Sequence, residues 1–202
     1  MGLRESKKQE TRQLISDHAT RLFIEQGFEQ TTIAEIAAAA RVAKKTVTNY
    51  FPRKEDLALD HHEAFTRGLA RAVAERAEGE SPHGALRREF GAALAERSPV
   101  AGFAGPEFAR MIAQSPTLTA RLRELHDQRE EALAAALADT APEGGPDIAA
   151  RAAAALLAAG DRLLFRRIQE LTLAGRGNDE IADLVAPEAA HVFELLTTGL
   201  DG

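Results

Sequence analysis

Lys44, Lys45, Thr46, Thr48, Asn49 and Tyr50 fall within one short stretch that carries no carboxylate. Together these side chains suit the reading of DNA. A Lys ammonium can donate to guanine O6 and N7, and an Asn amide can pair with adenine N6 and N7. Thr and Tyr hydroxyls suit phosphate oxygens, which set register rather than sequence. No acidic residue occurs between Glu35 and Glu55, whereas Arg41, Lys44, Lys45, Arg53 and Lys54 all do. The chain as a whole has a net charge of −6, but that charge is unevenly spread. Residues 1–60 hold 10 Lys/Arg against 9 Asp/Glu, and the remaining residues hold 15 against 22. A phosphate backbone needs a local basic patch, not a high overall pI. The competing reading of these residues is an ordinary solvated basic face.

Two short helices are needed to present such a surface. In residues 32–51, Thr32 and Glu35 stand at capping-box spacing, so a helix is predicted from about 32 to about 39. A second helix is predicted over about 44–50, with Pro52 preventing its continuation. Ile33, Ile36, Ala37, Val42, Val47 and Phe51 are spaced to lock the two together, which turns the six polar residues above outward. The arrangement is a helix-turn-helix whose second helix would enter the major groove of double-stranded DNA. A preceding helix over about 6–27, closed by Gly27, carries the apolar stripe Leu14, Ile15, Ala19, Leu22 and Phe23. Lys54 opens a long fourth helix expected to reach Glu78, where its charge and the free N-terminal amides would form an anion site.

The rest of the chain reads as all-α, giving about nine helices in total. The expected division is a DNA-binding domain over residues 1–53 and a ligand-binding and dimerisation bundle over 54–202. Breakers at Ser81-Pro82, Ser98–Pro106 and Ser115-Pro116 and the Pro/Gly-rich segment Asp139–Pro146 delimit its helices. Against an Ala- and Leu-rich background, Phe103, Phe108, Met111, His126, Arg129, Arg162 and Phe165 stand out. They read either as the lining of a mainly apolar pocket with polar anchors or as core aromatics with ion-paired arginines. Phe65, Phe90 and Phe193 are assigned to core or interface. The last two helices, over about 147–174 and 179–198, have Ala- and Leu-rich faces suited to a two-fold four-helix interface. Paired half-sites also favour a homodimer, because one helix-turn-helix reads too few base pairs to be selective.

Other functions are disfavoured. The adjacent His61-His62-Glu63 diverge around a helix, whereas a two-His metal site wants spacing of four. The remaining histidines show no nucleophile–acid spacing, and no phosphate-cradling Gly loop occurs, so neither an enzyme nor a cofactor is implied. No cysteines are present, which fits a reducing cytoplasm, where DNA binding would place the chain on the nucleoid. No run approaches the ~20 apolar residues of a membrane span, and the charged N-terminus does not read as a secretory signal.

Residues 12–57 resemble the N-terminal domain of the tetracycline-repressor (TetR) family. The resemblance is carried by Arg12, Ala19, Leu22-Phe23 and Gly27-Phe28, by Thr31-Thr32-Ile33 with Ile36-Ala37, and by Val42, Thr46-Val47, Tyr50-Phe51 and Lys54-Glu55-Asp56-Leu57. Its wording over residues 46–57 is nearest a subgroup that includes the mycofactocin-type regulators. The resemblance implies a homodimer joined through its last two helices, a palindromic operator, and repression relieved by a small-molecule effector bound in the C-terminal domain. An activator or a ligand-blind DNA-binding dimer of the same family is the alternative. By position, Lys44, Lys45, Thr46, Thr48 and Asn49 would face base edges or nearby phosphates, and Thr32, Tyr50 and Lys54 would hold the backbone. Arg4, Lys7 and Lys8 would add contacts from a flexible arm. Two positions depart from the family's pattern. Arg41 stands where Gly is usual, and Ala43 stands where Ser or Gly often caps the recognition helix. If the backbone at Arg41 needs a positive φ, the departure costs about 1 kcal/mol. An uncapped Ala43 forfeits about 1 kcal/mol.

Overall fold

Helix-forming segments separated by Gly, Pro and uncapped turns produce an all-α chain with ten α-helices among the described residues. The computed structural model describes residues 3–140 and 147–200. The first four helices are α1 (Leu3–Gln26), α2 (Ile33–Ala39), α3 (Lys44–Tyr50) and α4 (Lys54–Ala58). The next three are α5 (His62–Ala74), α6 (Pro82–Ala95) and α7 (Pro106–Gln114), with a 3-10 turn at Pro99–Ala101. The last three are α8 (Pro116–Asp139), α9 (Asp147–Leu173) and α10 (Asn178–Leu200). Residues 141–146, in the Pro/Gly-rich connector, lie outside the described residues.

The chain divides into two units. The first comprises residues 1–62 together with Arg110–Arg121, and the second comprises Glu63–Ala109 and residues 122–202. In the first, Ile15, Phe23, Phe28, Ile36, Val47, Phe51 and Leu57 are buried. In the second, one apolar core joins α5, α6, α8, α9 and α10 through residues such as Leu69, Leu86, Phe90, Leu133, Leu157, Ile168 and Val185. Gly160 of α9 allows α10 to approach closely, since a Cβ there would lie 2.7 Å from Leu196 Cδ1.

Two sequence expectations need correction. The long fourth helix is broken at Leu59–His61 into α4 and α5. The break is held from α1: Arg12 donates to the Asp60 backbone carbonyl at 3.2 Å, and Ser16 Oγ donates to the Asp60 side-chain carboxylate at 2.6 Å. Stabilising side chains thus take over where the helical ladder stops. The flexible arm is also absent over Lys7 and Lys8, which sit exposed on α1, while the Arg4 side chain lies outside the described residues.

Gly102 joins the 3-10 turn to the core with φ 113°, and a Cβ there would stand 2.9 Å from the Phe165 carbonyl oxygen. Its own carbonyl accepts from Gln169 Nε2 at 2.5 Å. Gly102→Ala is therefore expected to lower stability by about 1–2 kcal/mol in urea unfolding.

Candidate nucleic-acid interface

The helix-turn-helix is set by its turns. At its start, Thr32 accepts from the Glu35 amide at 3.3 Å, and the Glu35 carboxylate accepts from the Thr32 amide at 2.7 Å. The Thr32 side chain and then its amide, by hydrogen bonding, hold the Glu35 carboxyl below the usual carboxylate range. Between the two helices, Val42 N donates to Ala37 O at 2.9 Å and Arg41 N to Ala38 O at 3.1 Å. This is the Schellman pattern, which places Arg41 in the left-handed region at φ 54°. Ala43, the N-cap of α3, offers no side-chain hydrogen bond. Both departures from the family pattern thus fall on strained or unfilled positions. Arg41→Gly and Ala43→Ser are each expected to raise stability by about 1 kcal/mol, read as a higher urea midpoint at unchanged slope.

The outward polar face of the motif lies on α3. Val47 is buried and Thr46 and Tyr50 are half-buried, whereas Lys44, Lys45, Thr48 and Asn49 are exposed. Lys44, Lys45 and Asn49 have no side-chain partner among the described residues. The Thr48 hydroxyl donates to Lys45 O at 3.1 Å, a local bond that competes with outward donation. Exposed Arg41 and Arg53 flank this surface.

Two cations fix the ends of the motif from within. The Arg12 guanidinium lies 4.3 Å over the Phe51 ring and donates to the carbonyls of Tyr50 and Asp60, each at 3.2 Å. It thereby caps the C-terminus of α3. Lys54 lies 4.3 Å over the Phe28 ring, and its ammonium donates to the carbonyls of Phe28 at 2.9 Å and Thr31 at 3.1 Å. The ammonium is thus committed to the turn between α1 and α2, while Thr32 is committed to its capping box. α4, at five residues, is too short to offer the anion site expected at its start.

Segment 110–121 adds two features that the sequence did not signal. Ser115 Oγ donates to Glu29 Oε1 at 2.6 Å, which with Thr117 holds the Glu29 carboxyl below its usual range. Arg121 pairs with buried Asp56 at 2.9 Å. Partners 86 and 65 residues apart leave no local signature.

The residues that the sequence offered for an effector pocket are partly gathered. Phe65, His126 and Phe165 form an edge-on aromatic trio with ring centroids 5.0, 5.2 and 5.6 Å apart. Arg129 lies 4.4 Å over Phe65 and pairs with Asp161 at 3.1 Å, and Arg162 pairs with Glu130 at 3.2 Å. Phe103 is buried in the second unit's core and Phe108 is half-buried, whereas Met111 belongs to the first unit. The cavity beside Arg129 and Asp161 holds about 60 Å³. That is far below the several hundred Å³ of a typical small-molecule site.

Residues 15–60 match the family described as bacterial regulatory proteins, tetR family. The HTH-type transcriptional regulator TcmR of Streptomyces glaucescens is 32% identical over 142 residues, covering 68% of this chain. The aligned stretch spans 63% of TcmR, just under two thirds of it. A TetR-family regulator from Syntrophomonas wolfei shares the fold at a TM-score of 0.54 and 20% identity, covering 92% of this chain and 96% of its own. NalD of Pseudomonas aeruginosa, the secondary repressor of the MexAB-OprM efflux pump, does so at 0.51 and 20%, covering 96% and 97%. Residues 15–60 thus match the tetR family of bacterial regulatory proteins, and the chain is similar to TetR-family transcriptional regulators in sequence and in fold.

Proposed function

We propose that this protein is a cytoplasmic, sequence-specific DNA-binding repressor that acts as a homodimer on a palindromic operator and leaves it when a small-molecule effector binds. The observation that carries the reading is α3, where Lys44, Lys45 and Asn49 stand exposed and unpartnered among the described residues on an acid-free face. We assign DNA reading to residues 1–53, with Lys44, Lys45 and Asn49 on base edges, and Thr46, Thr48 and Tyr50 on nearby bases or phosphates. Thr32 and Lys54 keep the positioning roles described above, and any phosphate contact they make is secondary. Residues 54–202 would supply sensing and dimerisation, with His126, Arg129, Arg162 and Phe165 as the effector-responsive region and Phe103 and Phe108 beside them.

Dimerisation is supported by apolar surface on the last two helices. On α9, Leu156 is 49% and Leu163 57% exposed, in line with exposed Ala152, Ala155 and Ala159. On α10, Leu184 is 41% and Leu195 61% exposed. Leucines at this spacing, left in water, mark a face that a second copy would cover.

Mobility shifts with sheared genomic DNA should yield a selected fragment. Lys44→Ala or Lys45→Ala should weaken its binding about 5- to 150-fold, as loss of a good base contact costs roughly 1–3 kcal/mol. Unchanged binding by both variants would remove α3 from the interface.

A further inference from the structure

α6 and α10 of the second unit lie side by side with an open groove of about 380 Å³ between them. They run antiparallel: Arg97, just after α6, pairs with Asp179 at the start of α10 at 2.9 Å, and Phe90 meets Phe193 farther along at 6.0 Å. Phe90, Leu94 and Phe193 supply an apolar floor, and Ala182, Ala186 and Ala189 form a wall without bulk. Opposite them is Gly91, where a Cβ would meet no heavy atom within 4 Å. Glycine is the least favoured residue in a helix interior after proline. At this position its missing side chain leaves space rather than packing.

The charges of the groove are asymmetric. At the Phe193 end, Arg87 is exposed and has no partner among the described residues. At the other end, Arg97 is committed to Leu94 O, Ala95 O and Asp179, and Asp183 stands beside it. An occupant therefore finds one available cation, at Arg87, and an acidic far end. The eleven residues from Arg87 to Arg97 span roughly 15 Å, and about 380 Å³ over that length is too little to take in a whole helix about 10–12 Å across. A single extended hydrocarbon chain fits it.

We propose that the α6–α10 groove binds an unbranched anionic amphipath, its carboxylate at Arg87 and its chain along Phe90, Leu94 and Phe193. The probe is dodecanoate, titrated calorimetrically into the full chain below its micellar concentration, with 1-dodecanol as the uncharged control. One dodecanoate per chain is expected. Gly91→Leu and, independently, Ala186→Leu should each weaken it by at least about tenfold while the thermal midpoint shows a folded chain. Arg87→Gln should weaken dodecanoate by a similar factor and leave dodecanol unchanged. Wild-type affinity in both groove-filling variants would place the amphipath elsewhere and overturn the proposal. Equal affinity for dodecanol and dodecanoate would overturn the role of Arg87. A change of oligomeric state in Gly91→Leu on size exclusion would instead assign the groove to a second copy of the chain.

Discussion

Asp56→Ala is expected to cost about 3–5 kcal/mol of stability, more than any other single change considered for the first unit. Asp56 in α4 and Arg121 in α8 pair at 2.9 Å, with side chains only 7% and 11% exposed. Bringing both charges out of water is costly, and their mutual attraction offsets that cost only while both are present. Removing the carboxylate strips the buried guanidinium of the charge that Asp56 supplies. Asp56→Leu combined with Arg121→Met should therefore recover most of the loss, because a well-packed apolar pair carries no such penalty. Urea denaturation of the single and double variants measures both effects. A loss under about 1 kcal/mol in Asp56→Ala would show that the pair is effectively solvated.

The second large effect concerns pH. His126 is 7% exposed, and burial first, then the charges of Arg162, Arg129 and Arg166, lowers its pKa from 6.5 to about 3. The folded chain therefore holds His126 neutral, while the unfolded chain takes up a proton below about pH 6.5. Its contribution to stability is fully present above pH 6.5 and is lost progressively as the pH falls toward 3. Between pH 7 and pH 5 the loss should be about 2 kcal/mol. The carboxyls held below their usual range, Glu29, Glu35 and Glu80, lose their contribution as the pH falls below the ordinary carboxylate range, not between pH 7 and 5. His126→Phe keeps an aromatic ring in the trio and removes the proton, so its stability should be nearly flat from pH 7 to 5. A wild-type chain equally stable at both values would show that His126 is solvated.

What the sequence disclosed was local. Thr32 and Glu35 stand three residues apart, and the capping box they predict is present. Arg41 and Ala43 could be singled out as departures from the family's pattern, and the turn and cap they fall on are each set within a few residues. Pairings distant in sequence escaped. The break at Leu59–His61 depends on Arg12 and Ser16, more than forty residues earlier, so helical periodicity carried the expected fourth helix straight through it. Lys54 reads as a phosphate ligand because it is basic and opens a helix. Its ammonium instead reaches carbonyls 26 and 23 residues upstream. Met111 looked like pocket lining by residue type, but residue type does not reveal that segment 110–121 packs with the first unit. Phe65, assigned to core, proved to be the third ring of the His126 and Phe165 trio.

In the proposed function, exposed α3 reads base sequence as part of a dimer. Footprinting and quantitative binding on a fragment selected from genomic DNA test it most directly, comparing wild type with Asn49→Ala on the selected site and on a scrambled one. Two protected, dyad-related half-sites spaced by about one helical turn or a multiple of it are expected. Asn49→Ala should weaken the selected site at least about fivefold while barely changing the scrambled one. A single unsymmetrical footprint, or an equal effect of Asn49→Ala on both sequences, would contradict that function.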